Sequence, residues 1–142
     1  MGRFLFTMAI AIWLGTLVSF SYVILPSIHG ALPSGTARQL LHKLFPRYHL
    51  VGIVCGMLAL AAVAIAPPGP AFDLHRRILL GAPVAAALLC AMIGRQVLLP
   101  RLNALNNDAN AVAFERSHRV AAMLNTTALA LLLLALAAVT GQ

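Results

Sequence analysis

The sequence predicts an all-α integral membrane protein, an antiparallel up-down bundle of four transmembrane helices with a short interfacial helix between helices 1 and 2. Two observations support this class: 61% of the 142 residues are hydrophobic and only 9% are charged, whereas a soluble domain of average composition is about 25% charged. A third is the presence of four long apolar runs. So few ionic groups cannot cover a water-facing surface, and the lipid bilayer is therefore the expected solvent and partner of this chain.

Four apolar runs define the predicted spans, and we assign residues 1–142 to a single membrane domain. The runs occupy residues 4–28, 47–66, 78–100 and 118–140. About 20 apolar residues suffice to cross the hydrocarbon core, so each run can form a transmembrane helix. The first run is too long for the apolar part of a signal peptide and lacks a clear small-residue cleavage site, so we expect it to be retained.

The segment between the first two runs predicts a short helix that lies along the membrane surface. Ser34 can cap its N-terminus. Its leucines fall on one side and its basic residues mostly elsewhere, as in an amphipathic helix: Leu40, Leu41 and Leu44 against Arg38, His42 and Lys43. Pro46 suits the first turn of the following span, because a proline there removes no helical hydrogen bond.

Four spans place both termini on one side of the membrane, and the basic residues predict which side. The first and third connections carry seven of the ten Lys and Arg residues: Arg38, Lys43, Arg47, Arg95, Arg101, Arg116 and Arg119. The opposite side carries the other three, Arg3, Arg76 and Arg77. Because basic residues concentrate in cytoplasmic connections, we expect both termini outside a bacterial-type inner membrane. The net charge of +7 does not predict nucleic-acid binding, since the charges fall between apolar runs.

Small residues at helical spacing predict where the helices pack together. Gly15 in the first run and Gly52 and Gly56 in the second are the candidates, since the last two form a Gly-x-x-x-Gly pattern that permits close approach of a neighbouring helix. We expect packing within the chain, with a homo-oligomer or another membrane protein as the alternative. Tyr22 shares the face of Gly15 in a regular helix and is therefore expected to point into the bundle.

Histidines and one acid at the same predicted membrane face are candidates for metal binding. His49, His118 and Glu115 are the expected ligands of a single metal ion, because imidazole and carboxylate bind metals and Glu115-x-x-His118 matches half of a di-iron motif. A di-iron centre within one chain is excluded, because it needs more carboxylates than the three acids of this sequence. The alternative is structural: histidines that reach for the interface, and Glu115 paired with an arginine.

Polar residues at that face also predict a ligand pocket. Arg95 follows seventeen uncharged residues, and a charge at such a depth usually faces the bundle interior or a wet cavity. Asn125 can supply a hydrogen bond in the same cavity, and Arg101 and Tyr22 complete the candidate pocket. Contacts that hold the helices together are the alternative role. No nucleophile has a base and an acid at a supporting spacing, so we expect no catalytic residue.

Several motifs resemble those of the transmembrane protein 205-like family, which carries domain of unknown function 4149. The resemblance covers nearly the whole chain and rests on Trp13-Leu14-Gly15 with Phe20 and Pro26, on Ala37 to Tyr48, on Leu99-Pro100-Arg101-Leu102-Asn103, and on Phe114, His118 and Asn125, which look like the family's F-x-x-x-H-x-x-x-x-x-x-N signature. It implies a small polytopic membrane protein of largely unassigned activity, with a reported link of one member to platinum-drug resistance. In outline the family is similar to copper-resistance D-type and haem-carrying four-helix membrane proteins, although no histidine lies deep within a span of this chain.

Three functions follow as hypotheses. The first is an inner-membrane protein whose polar cytoplasmic-side pocket binds a metal ion or a small ligand without catalysis. The second is a redox protein that carries haem b through His49, His118 or His29. The third is a structural or accessory membrane subunit. The cofactor is therefore unassigned, with a metal ion and haem b as the two candidates.

Overall fold

The chain folds into helices throughout the part that the computed structural model describes, residues 2–66, 73–104 and 111–140. In chain order the helices are α1 (Gly2–Val18), a π-helical segment π1 (Ser19–Ile24), α2 (Leu25–Ala31), α3 (Ser34–Ile65), α4 (Leu74–Ile93), a second π-helical segment π2 (Gly94–Leu98), α5 (Leu99–Ala104) and α6 (Ala111–Thr140). The predicted all-α class is confirmed.

Among the described residues, four helical stretches are long and apolar enough to cross a membrane: Gly2–Ile28, Gln39–Ile65, Leu74–Arg101 and Arg119–Thr140. Each overlaps one of the four runs predicted from the sequence. Their outer surfaces carry large apolar side chains, with Ile65 76% exposed and Leu134 63% exposed. Such surfaces are unfavourable in water and ordinary in lipid, where the solvent is as apolar as leucine. The protein is therefore a multi-pass membrane protein.

The long helices form a closed four-helix bundle. α1 packs against α3, α3 against α4, α4 against α6, and α6 against α1. The largest fully buried side chains fill the interior and come from three of the four helices: Phe6, Ile10, Val84 and Leu132. Close packing rather than exclusion from water holds such a bundle together in lipid, so these interlocking side chains are its main source of stability.

Two arginines join helix beginnings to helix ends. The last carbonyl groups of a helix have no partner within that helix, and a cationic side chain can satisfy them. Arg3 donates from Nη2 to the carbonyl oxygen of Val139 at 2.7 Å, which ties the start of α1 to the end of α6. Arg77 donates to the carbonyl oxygens of Ala64, at 3.0 Å, and Ala66, which ties the start of α4 to the end of α3.

The structure differs from the prediction between the first two spans. The expected short interfacial helix is not a separate element, because its residues form the first turns of the 32-residue helix α3, which continues through Pro46. Ala37, Leu41 and Tyr48 are buried on one face of this helix, at spacings of four and seven residues that keep them aligned. The segment therefore packs on the bundle, and the proline costs too little to break a helix held by its neighbours.

The two π-helical segments lie in the later parts of the first and third spans. A π turn inserts an extra residue into an α-helix, shifts the side chains that follow, and occurs frequently at functional sites. Ser21 of π1 is hydrogen-bonded to Tyr48, and Gly94, the first residue of π2, lies against His49. Both irregular turns therefore contribute to one polar region of the bundle.

Candidate functional site

Tyr48 lies at the centre of that polar region. Its side chain is 8% exposed, stacks on the ring of Phe20 with centroids 4.4 Å apart, and meets the ring of His49 edge-on with centroids 4.9 Å apart. Its hydroxyl is hydrogen-bonded to the side chains of Asn125 and Ser21. The Tyr48 side chain thus joins α3 to α6 and to π1, and its ring packs between those of Phe20 and His49.

His49 is fixed in one orientation beside it. Its Nδ1 lies 2.9 Å from the carbonyl oxygen of Phe45, and because a carbonyl can only accept, Nδ1 carries the hydrogen. In the neutral ring, Nε2 is then an acceptor. That nitrogen faces Gly94, where an added Cβ would stand only 2.7 Å away. Arg95 is close enough to interact electrostatically with the ring, so the two candidate residues His49 and Arg95 do lie together.

The Gly-x-x-x-Gly pattern receives an aromatic ring. A Cβ at Gly52 would stand 2.6 Å from Nε1 of Trp13, and one at Gly56 would stand 2.8 Å from another atom of the same indole. The indole of Trp13 in α1 therefore packs directly against the glycine face of α3. Gly15, the third residue expected to pack, is exposed, with no atom within 4 Å of the position that its Cβ would take.

A cavity of about 210 Å³ lies between π1 and α6. Its lining is mostly apolar, and its polar groups are few: it is formed by Leu17, Phe20, Ser21, Tyr22, Leu25, Phe45, Ala121, Ala122, Asn125, Thr126 and Leu129. None of these described lining residues is charged. The hydroxyl of Thr126 donates to the carbonyl oxygen of Ala122 at 3.0 Å, so the other polar side chains of the lining are those of Ser21, Tyr22 and Asn125.

A second, much smaller cavity adjoins the first behind Asn125. It measures about 10 Å³, and its lining includes Trp13, Tyr48 and His49. A cavity of that size is at the lower limit for one water molecule, which needs two or more polar partners. Asn125 and Leu17 line both cavities. The polar side chain of Asn125 therefore stands between the larger cavity and the ring of His49.

The other residues expected in the site are less central. Tyr22 lines the larger cavity but is 64% exposed, so it stands at the rim. Arg101 is exposed and lines none of the cavities described above. The side chains of Glu115 and His118 lie outside the described part of the structure. Within the part that is described, no three His, Cys, Asp or Glu side chains come together, so those residues lend no support to a metal site or to haem, and the three-residue metal site stays a prediction.

Ser21 and Tyr48 belong to the site and were not predicted as part of it. Placing Gly15 and Tyr22 inside the bundle assumed that small and polar residues face neighbouring helices. The structure instead buries the bulky face of α1, with Trp13 seated on the glycines of α3. A polar residue in the middle of an apolar run is the signal that singles out Asn125. Tyr48 stands close to basic residues in the sequence and contributes only to the family motif.

Comparison with known proteins identifies a family but no activity. No curated protein and no solved structure matches the chain. The sequence profile of one family, described as "Domain of unknown function (DUF4149)", matches residues 8–111. That segment contains Trp13, Tyr48, His49 and Gly94, whereas Asn125 lies beyond it. Since the match covers more than half of the 142 residues, the chain belongs to the DUF4149 family.

Proposed function

We propose that this protein binds a small organic ligand, without catalysing a reaction, in the 210 Å³ cavity between π1 and α6. The observation that carries the proposal is the pair Ser21 and Asn125, which line the cavity and are held from behind by the Tyr48 hydroxyl. An asparagine amide offers two donors and one acceptor oxygen. Its bond to Tyr48 leaves hydrogen-bonding capacity for a ligand.

The size of the cavity favours binding over a purely structural role. A structural link between α3 and α6 needs only the contact of Tyr48 with Asn125, and it needs no empty volume beside it. A cavity of about 210 Å³ whose lining is mostly apolar with a few polar groups instead has the composition typical of a ligand site.

An organic ligand fits the described residues better than a metal ion does. Protein zinc sites use three or four side-chain ligands. Among the described residues that line the two adjoining cavities, His49 is the one side chain that commonly binds metals. Those residues therefore favour hydrogen bonding and apolar contact over coordination.

The proposal includes an orientation in the membrane. The bonds from Arg3 to Val139 and from Arg77 to Ala64 join the beginning of one helix to the end of a neighbour, which supports the up-down arrangement. The excess of Lys and Arg in the first and third connections supports a cytoplasmic position for the polar region and an outer position for both termini. The first turns of α3, before the span that begins at Gln39, then stand at the cytoplasmic surface. The resemblance to the transmembrane protein 205-like family and to copper-resistance D-type proteins supports only the outline of the fold in this proposal.

Extraction of the purified protein tests the proposal. Ala121 lines the cavity and is half-buried, so Ala121→Phe fills part of the space, whereas Ala130→Phe adds the same bulk to an exposed position of the same helix. Organic extracts of the wild type and both variants, purified in parallel, are compared by mass spectrometry. We expect a compound that accompanies the wild type and Ala130→Phe and is depleted from Ala121→Phe. Three identical extracts would count against a ligand in this cavity.

A further inference from the structure

We infer that the ligand is an uncharged, mostly apolar molecule about the size of a substituted benzene, with one hydrogen-bonding group, and that it enters from the bilayer between π1 and α6. The inference rests on the proposed function, because it concerns the same cavity. It is carried by the volume of that cavity, the absence of charge from its described lining and the position of its polar groups.

Volume limits the size of the ligand. An engineered protein cavity of about 150 Å³ binds benzene, and a water molecule occupies about 30 Å³ in the liquid. A cavity of about 210 Å³ therefore holds one aromatic ring with one or two small substituents. Because the cavity is open at its rim, this volume limits the part of the ligand that is enclosed, and a steroid, a haem or a nucleotide could not be enclosed whole.

Charge limits the chemical class. A charged group in an apolar site is costly unless an opposite charge is paired with it. None of the described residues that line the cavity is charged, and the positive side chain of Arg95 does not line it. A carboxylate, a phosphate or an ammonium group would therefore have no partner among those residues, and an uncharged ligand is favoured.

Polar groups on one wall orient the ligand. Ser21 and Asn125 are both hydrogen-bonded to Tyr48, so their positions are fixed before the ligand arrives. Most of the remaining lining is apolar and includes Leu17, Leu25 and Leu129. A ligand with a single donor or acceptor can place it against Asn125 and leave its apolar body against the leucines.

Exposure identifies the route of access. Tyr22, Ala122 and Thr126 line the cavity and are exposed on the outer surface of the first and fourth spans. The Thr126 hydroxyl is engaged by the carbonyl of its own helix. The rim therefore offers an opening toward the lipid that an apolar molecule dissolved in the bilayer can enter directly.

The single tryptophan of the sequence provides the readout. Trp13 lines the small cavity that shares Leu17 and Asn125 with the larger one, so a bromine atom in the larger cavity lies close enough to quench its fluorescence. Four probes differ only in their polar group: 4-bromophenol, bromobenzene, 4-bromobenzoate and 4-bromobenzylammonium. They are titrated into the full chain in lipid nanodiscs. Probe that is only dissolved in the lipid gives quenching that rises linearly with its concentration, and this component is subtracted to leave the saturable quenching from bound probe.

We expect saturable quenching by 4-bromophenol and by bromobenzene, with the phenol binding about fivefold more tightly because it gains one net hydrogen bond. The two charged probes should bind at least tenfold more weakly than the phenol. Asn125→Leu should reduce the affinity for the phenol to that for bromobenzene. Thr127→Val removes a polar group at an exposed position of the same helix that does not line the cavity, so it should leave the preference intact.

The possible failures are distinguishable. If a charged probe binds as tightly as 4-bromophenol or more tightly, the inference that the ligand is uncharged is wrong, but the cavity is still a binding site. Equal binding of phenol and bromobenzene by the wild type overturns the role of the polar wall. If no probe gives saturable quenching, or if the fluorescence of the Ala121→Phe variant is quenched as strongly as that of the wild type, the cavity is not a binding site. The proposed function is then wrong as well. The comparison of probes needs only the wild type, so a poorly folded variant does not weaken it.

Discussion

Replacing Gly94 by alanine should destabilise the bundle by forcing the His49 ring from its place. The new Cβ would stand 2.7 Å from His49 Nε2, whereas ordinary contact begins at 3.4 Å, so ring or helix must move by about 0.7 Å (3.4 minus 2.7). The ring cannot move freely, because its Nδ1 is hydrogen-bonded to the Phe45 carbonyl and the ring packs against that of Tyr48 in a T-shaped contact. The backbone of Gly94 is helical, with φ −54° and ψ −46°, so alanine introduces no backbone strain.

The size of the effect follows from three contributions. Overpacking of a filled site costs about 2 kcal/mol, and loss of the His49–Phe45 hydrogen bond costs about 1 kcal/mol. The better helix propensity of alanine returns about 1 kcal/mol. We therefore expect Gly94→Ala to lower the free energy of unfolding by about 2 kcal/mol, measured by denaturant titration in micelles with circular dichroism as the signal.

Gly81→Ala is the matched control for this experiment. Gly81 lies in the same span, and a Cβ there would meet only Leu60 Cδ2 at 3.9 Å, so this variant should be about 1 kcal/mol more stable than the wild type. In a His49→Ala background the obstacle is gone, and Gly94→Ala should become stabilising as well. A Gly94→Ala protein as stable as Gly81→Ala would refute the reasoning, since it would show that His49 does not occupy this place.

Three further predictions concern other contacts. Gly52→Val should displace the indole of Trp13, because a Cβ there would stand 2.6 Å from Nε1; a shifted fluorescence emission maximum would show it, and an unchanged spectrum would contradict the packing. Arg77→Gln should lower the free energy of unfolding by about 1 kcal/mol, because it leaves two carbonyl groups at the end of α3 without their donor; an unfolding midpoint equal to that of the wild type would argue that the bonds contribute nothing. Alkaline phosphatase fused after Gln142 should be active, because the enzyme folds only outside the cytoplasm; activity of a fusion after Lys43 instead would reverse the proposed orientation.

Hydropathy was sufficient to predict the number and approximate position of the spans, because crossing a bilayer requires long apolar segments whatever their partners are. It could not predict which face of the first helix points inward. In lipid both faces are apolar, so the difference between Gly15 outside and Trp13 inside depends on the complementary shape of α3, where Gly52 and Gly56 leave room for an indole. Shape complementarity between two helices is not visible in either sequence segment alone.

The two π-helical segments could not be predicted from the sequence either. A regular helix places Tyr22 in line with Gly15. In the structure, residues 19–24 form a π turn in which Phe20 and Ser21 contact Tyr48, and Tyr22 lies at the rim of the cavity. No residue pattern marks a π turn, because the extra residue is stabilised by tertiary contacts. The sequence singles out Asn125 because an amide within an apolar run requires a partner, and the structure places it beside Tyr48 in the lining of the cavity.

The hydrogen bond between Arg3 and Val139 joins residues 136 positions apart in the sequence, so we expect it to form only after nearly the whole chain has been synthesised. Trp13 can settle on Gly52 and Gly56 as soon as the second helix has been inserted. The wall of the large cavity formed by α6 does not exist until the last helix arrives and the ring of helices closes. A chain shortened before α6 would therefore keep its tryptophan contact and have no cavity, so ligand binding would report completion of the whole bundle.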